Sequence, residues 1–97
     1  MLSAEILPPA VRDFDEGYAW YFRREPRAAA RFADAIDAAI DKLRSDAALG
    51  IRLDDEHHFY RLKKGFPYYL VYRIEPTRIV IVTIAHNARH PDFWRGR

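Results

Sequence analysis

The sequence predicts an α+β fold of order β-α-α-β-β-β, a helical hairpin packed on one face of a small, mainly antiparallel sheet. Three observations carry this. Two stretches of helical periodicity meet at Pro26. Three strand-like runs follow, separated by the short turn segments Lys64-Gly65 and Glu75-Pro76-Thr77. At 97 residues the chain has room for a single domain, 1–97, with one small core.

Residues 3–7 are read as a short first strand. Pro8 and Pro9 then suit a helix start, where a missing N–H costs nothing. Val11, Phe14, Tyr18, Tyr21 and Phe22 recur at helical spacing, so the first helix runs to about Arg24. Pro26 closes it and opens the second. There, Ala29, Phe32, Ala33, Ile36, Ile40 and Leu43 make one apolar stripe, and Arg31, Asp34, Asp37 and Asp41 fall outside it. Ala28, Ala35 and Ala39 flank the stripe, where small side chains would let the two helices approach closely. Gly50 ends the helical region, and a polar loop continues to Glu56. The strands expected next are Phe59 to Lys63, Tyr68 to Ile74, and Arg78 to Ala85. The last is apolar on both faces except at Thr83, which marks a central strand.

Hydrophobic content of 49%, with 14% aromatic, excludes a disordered chain. The absence of cysteine excludes disulfides and thiolate metal ligands, and fits a cytoplasmic location. The opening residues lack the basic stretch and apolar core of a signal peptide. The apolar run Ile79 to Ala85 is far short of a membrane span. Charge divides sharply. Residues 1–56 carry 8 Lys/Arg against 12 Asp/Glu, a formal −4; residues 57–97 carry 8 against 2, a formal +6, and all four histidines. Such a division suggests a surface that meets an anionic or acidic partner.

Arg61 and Lys63 share a strand parity, and with Arg73 they are read as a basic strip, Lys64 belonging to the turn. The competing reading is a solvated edge strand. Metal-independent RNA cleavage needs a base, an acid and cations for the phosphorane. Lys63, Arg73, His86 and Arg89 are the candidates, with His90 a second titratable group and Trp94 a stacking surface. Against this, His86 and Arg89 would tie down the tail and Trp94 would cover the sheet end. That structural role is favoured for His86 and Trp94, while Arg89 stays open between the two. His57 and His58 should point to opposite faces. Pro91 breaks the helical spacing of His86 and His90, and Asp54-Asp55-Glu56 reads as a turn, so neither metal nor cofactor is expected. Trp20 lies on the charged side of the first helix, among Arg12, Asp13, Glu16, Arg23 and Arg24. It is a candidate partner contact, or it packs on a neighbouring element.

These residues resemble the RelE/ParE superfamily of toxins from bacterial type II toxin–antitoxin pairs. Ala10, Asp13 and Phe14 look like its opening helix signature. Tyr21-Phe22 matches its aromatic pair, and Phe66-Pro67-Tyr68 with Tyr72-Arg73 matches its central hairpin. His86, Arg89, Pro91 and Trp94 are similar to the closing His-x-x-Arg-x-Pro-x-x-Trp pattern of many ParE-like members. The resemblance implies a growth-arresting toxin neutralised by a cognate antitoxin, the ParE-like branch poisoning DNA gyrase and the RelE-like branch cutting mRNA in the ribosome. Two departures stand out: His57-His58 replace an arginine found in many ParE-like relatives, and the tail lacks the tyrosine frequent in the nuclease branch. The expected target contacts are Arg61, Lys63, Arg73, Arg89 and Trp94, and the expected antitoxin contacts are Trp20, Arg61 and Arg73. The ParE-like reading is preferred, ahead of a RelE-like nuclease and of an inactive binding module. The antitoxin is expected to be acidic and to order on binding, its carboxylates on the basic face.

Overall fold

The computed structural model describes residues 1–63 and 65–97. In chain order the elements are β1 (Ser3–Ile6), α1 (Pro8–Arg24), α2 (Pro26–Ser45), β2 (Ile51–Arg52), β3 (His58–Arg61), β4 (Tyr68–Ile74) and β5 (Arg78–His86), with a short 3₁₀ turn at Ala47–Leu49. The sheet order is β1-β5-β4-β3-β2; β1 runs parallel to β5 and every other pairing is antiparallel. The expected order is present, with β2 added inside the segment read as a polar loop. Lys64 lies outside the described residues.

Both faces of the sheet are covered, which is why Ile79 to Ala85 are all buried. On one face α2 contributes Phe32, Ile36 and Leu43 against Leu70, Tyr72, Ile79 and Ile81. On the other, the tail after β5 lays Trp94 against Val71 and Val82, with Leu7, Phe59, Tyr69 and Phe93 around it. A β-bulge makes this possible. Val71 pairs with Thr83 but Tyr72 pairs with Ile81, so β5 carries one extra residue and its side-chain alternation shifts there.

Three expectations are corrected by packing. In α1 the buried positions are Ala10, Asp13 and Gly17, whereas Val11 is 42% and Phe22 51% exposed. Close approach decides this: a Cβ on Gly17 would sit 3.0 Å from the Tyr68 hydroxyl and 3.1 Å from the Phe32 ring. Phe14 and Tyr21 reach the core from the flank of that small-residue stripe, with ring centroids 5.5 and 5.2 Å from Phe32. In α2, Ala35 and Ala39 face Tyr60 and Leu62 at the sheet edge instead of the first helix. Gly50 does follow the helical region, but its φ of −74° is ordinary. Its small size serves a close contact: its N–H donates to the Tyr72 hydroxyl at 3.1 Å, and that hydroxyl donates to the Ala47 carbonyl at 2.7 Å.

Trp94→Ala should lower unfolding free energy by about 3–5 kcal/mol, measured by denaturant titration, because no other tail side chain can fill that volume. Gly50→Ala should cost about 1–3 kcal/mol, since its methyl would collide with the Tyr72 hydroxyl and the Phe59 carbonyl.

Candidate functional site

The pairing of β1 with β5 ends at Ile6 opposite Ile81, leaving the rest of that β5 edge without a neighbouring strand. Two charged side chains take the strand's place. The Arg97 guanidinium donates to the Val82 carbonyl at 3.1 Å and to the Asp13 carboxylate. Asp13 in turn accepts from the Thr83 hydroxyl at 2.5 Å and from the Ile84 amide at 3.4 Å. A buried carboxylate requires such partners. Asp13, read from the sequence as part of a charged outer face, is therefore buried, and it meets Thr83, the one polar side chain within the buried run Ile79 to Ala85 of β5. Thr83 was the available signal.

A second latch lies on the opposite side of the tail. Arg95 donates to Asp92 at 2.8 Å and to Asp54 at 3.0 Å. The Asp54 carboxylate also accepts from the amides of Glu56 and His57, both at 2.8 Å, and sits 3.0 Å from the His57 ring Nδ1. Arg95 first, and then the Glu56 amide, hold the Asp54 carboxyl well below the usual carboxylate range. The His57 ring packs on Trp94 and the His58 ring on Tyr72, so the two point to opposite faces as expected. His86 accepts the Ala88 amide at 2.9 Å through Nδ1, fixing the first turn of the tail. Trp94 is 1% exposed. It is the anchor of the tail, the structural role favoured from the sequence, and it offers almost no surface for the target contact also expected of it.

The anchored tail completes a pocket of about 230 Å³ with β3 and β4, lined by Leu53, Phe59, Arg61, Tyr69, Asn87, Arg89, Pro91 and Trp94. Arg61 pairs across the ladder with Tyr69. Burial pushes the Tyr69 phenol up, and the nearby charges of Arg61 and Arg89 pull it part of the way back. Arg61 lies 5.6 Å from the Phe59 ring centre and Arg89 3.9 Å from that of Phe93. Among the described residues neither arginine forms an ion pair, whereas Arg78, Arg95 and Arg97 all do. Tyr69 was not singled out in the sequence, because a tyrosine inside a strand run reads first as core.

Comparison with known proteins identifies the chain. The family model for the ParE toxin of the type II toxin–antitoxin system parDE matches residues 4–91. The chain belongs to that toxin family. It is 33% identical over 88 residues to Toxin RelE3 of Caulobacter vibrioides, covering 90% of this chain and 96% of that one. Its fold matches a chain of the chromosomal ParDE system from P. aeruginosa with a TM-score of 0.75 at 21% identity, over 89% of this chain and 96% of that one. The protein is thus a type II toxin of the RelE/ParE superfamily, and membership implies an antitoxin partner.

In the toxin the expected site residues separate. Arg61, Arg89 and the buried Trp94 line the pocket, and His86, Trp20 and Arg89 line a second groove. β3 ends at Arg61, so strand alternation stops before Lys63, which lies beside α2 in a groove with Ala38, Lys42 and Leu62. Arg73 pairs with Val80, four residues beyond Tyr69 and about 13 Å along β4. The expected basic strip of Arg61, Lys63 and Arg73 is therefore not formed. His86 lies in a second groove of about 540 Å³, with Glu16, Gly17, Trp20 and Tyr68 among its walls; Arg89 borders both cavities. Trp20, 45% exposed, stands on that second groove under the Arg24 guanidinium, 3.6 Å from its ring centre. Trp20, Arg61 and Arg73, expected to meet the antitoxin together, thus occupy three separate places. Among the described residues no group of three His, Asp or Glu could hold a metal ion. Among the described residues no helix is long and apolar enough to cross a membrane.

Asp13→Ala should destabilise the toxin by about 3–5 kcal/mol by leaving Arg97 uncompensated, and Arg97→Ala should add little on that background, as read from a double-mutant cycle of unfolding free energies. Asp54, whose folded-state pKa is depressed, contributes stability above its unfolded pKa of about 3.9 and loses it as pH falls through the lower folded value. The melting-temperature gap between wild type and Asp54→Asn should therefore be fully open at about pH 6 and close towards about pH 2.

Proposed function

We propose that the toxin arrests growth by binding DNA gyrase, and that its action is occlusion of a protein–DNA complex, not cleavage of RNA. One observation carries this reading. Among the described residues, the pocket where Arg61 and Arg89 converge is lined by no His, Asp, Glu or Lys; its one other titratable side chain is Tyr69, a phenol whose pKa burial raises further. A nuclease would need Lys63, Arg73, His86 and Arg89 to converge, and only His86 and Arg89 share a cavity. The cationic pocket, by contrast, suits recognition of an anionic surface without chemistry. This action belongs in the cytoplasm, where gyrase works on DNA.

A ribosome-dependent nuclease is the second reading, favoured by the 33% identity to a relative named Toxin RelE3. The two separate cleanly. Purified toxin should inhibit gyrase supercoiling or accumulate cleaved DNA, and Arg61→Ala and Arg89→Ala should each weaken that effect about tenfold or more. Sharp mRNA cuts in a translating extract, with supercoiling untouched, would reverse the assignment.

A further inference from the structure

We infer that the pocket between β3, β4 and the tail seats an anchor of the antitoxin: one aliphatic side chain with a carboxylate beside it. This rests on the antitoxin partner that family membership implies. The pocket's volume of about 230 Å³ is ample for such a group, since apolar cavities of about 150 Å³ already accept a benzene-sized guest. Leu53, Phe59 and Pro91 supply apolar walls, and Arg61 and Arg89 supply the charge. Both guanidiniums are positioned in advance by the rings beneath them, Arg61 beside Phe59 and Arg89 on Phe93. Each lacks a carboxylate partner among the described residues, in a half of the chain with a formal charge of +6. A partner's Asp or Glu supplies what this surface lacks.

The same geometry disfavours a nucleotide. A base would need a free aromatic face on which to stack. Arg89 covers Phe93, Arg95 lies 4.5 Å from the ring centre of Trp94, and Trp94 is 1% exposed. What remains is the apolar wall of Leu53 and Pro91, the partly buried rings of Phe59 and Tyr69, and two cations, a lining that suits an aliphatic side chain beside a carboxylate. Occupation by the antitoxin would also sequester Arg61 and Arg89, both proposed target contacts, so neutralisation is direct competition for these two guanidiniums.

The test uses the intact toxin and three fluorescent probes: a short peptide alternating leucine and glutamate, the same peptide with glutamine for glutamate, and a single-stranded RNA of similar length. Anisotropy should show the glutamate peptide binding at least tenfold tighter than the glutamine peptide. Arg61→Gln and Arg89→Gln should each weaken it about tenfold, and Leu53→Trp should abolish it by filling the pocket while leaving the melting temperature in place. Leu53 is partly exposed, so this last variant folds. Absence of glutamate-peptide binding, or binding indifferent to all three substitutions, overturns the assignment. So does RNA that binds tighter than the peptide and is lost in the same variants. Gyrase plays no part in the titration, so a failure here leaves the supercoiling result standing, and the reverse holds too.

Discussion

The structure depends on how the open end of β5 is closed. A parallel edge strand four residues long cannot cover a nine-residue partner. The uncovered carbonyl of Val82 and amide of Ile84 need partners, because unpaired backbone groups at a packed edge are costly. Asp13 and Arg97 supply them, as a carboxylate and a guanidinium placed where the next strand residues would lie. That one ion pair joins the first helix, the central strand and the last residue of the sequence. It therefore determines the path of the tail as well as the integrity of the sheet.

The tail is held at three points of different chemistry. Trp94 supplies buried area, Arg97 a buried ion pair, and Arg95 a more exposed charged link to Asp54. Exposed pairs such as the third contribute little to stability but define geometry. The consequence is functional. By pinning the tail across β3 and β4, these contacts form the pocket wall and leave Arg61 and Arg89 without partners. The cations of the basic half thus divide: Arg78, Arg95 and Arg97 form ion pairs within the fold, while Arg61 and Arg89 form none among the described residues. Arg89 borders both the pocket and the groove beneath Trp20.

Much of the fold was legible because local rules agreed with one another. Prolines at 8, 9 and 26 bounded the helices, and the Phe32, Ile36, Leu43 stripe marked the buried face of α2. The run of β5, apolar on both faces except at Thr83, marked a central strand. The site was less legible. Strand parity linked Arg61 to Lys63, but parity lapses where a strand ends, and β3 ended at Arg61. A helical wheel placed Val11 and Phe22 inward, whereas close approach of both α2 and the sheet reserved the buried stripe for Ala10, Asp13 and Gly17.

The sequence by itself determined the α+β order, the toxin lineage, the concentration of positive charge in the second half and the tail-fixing role of His86. These follow from periodicity, turn chemistry and motif spacing, which are properties of neighbours along the chain. Tertiary structure alone decided that Asp13 turns inward to Thr83 and Arg97, and that Tyr69 joins Arg61 and Arg89 while Lys63 and Arg73 stand apart. Each of those outcomes pairs groups far apart in sequence. Their selection rests on satisfying buried polar atoms and filling a finite volume, and neither constraint exists until the layers have closed.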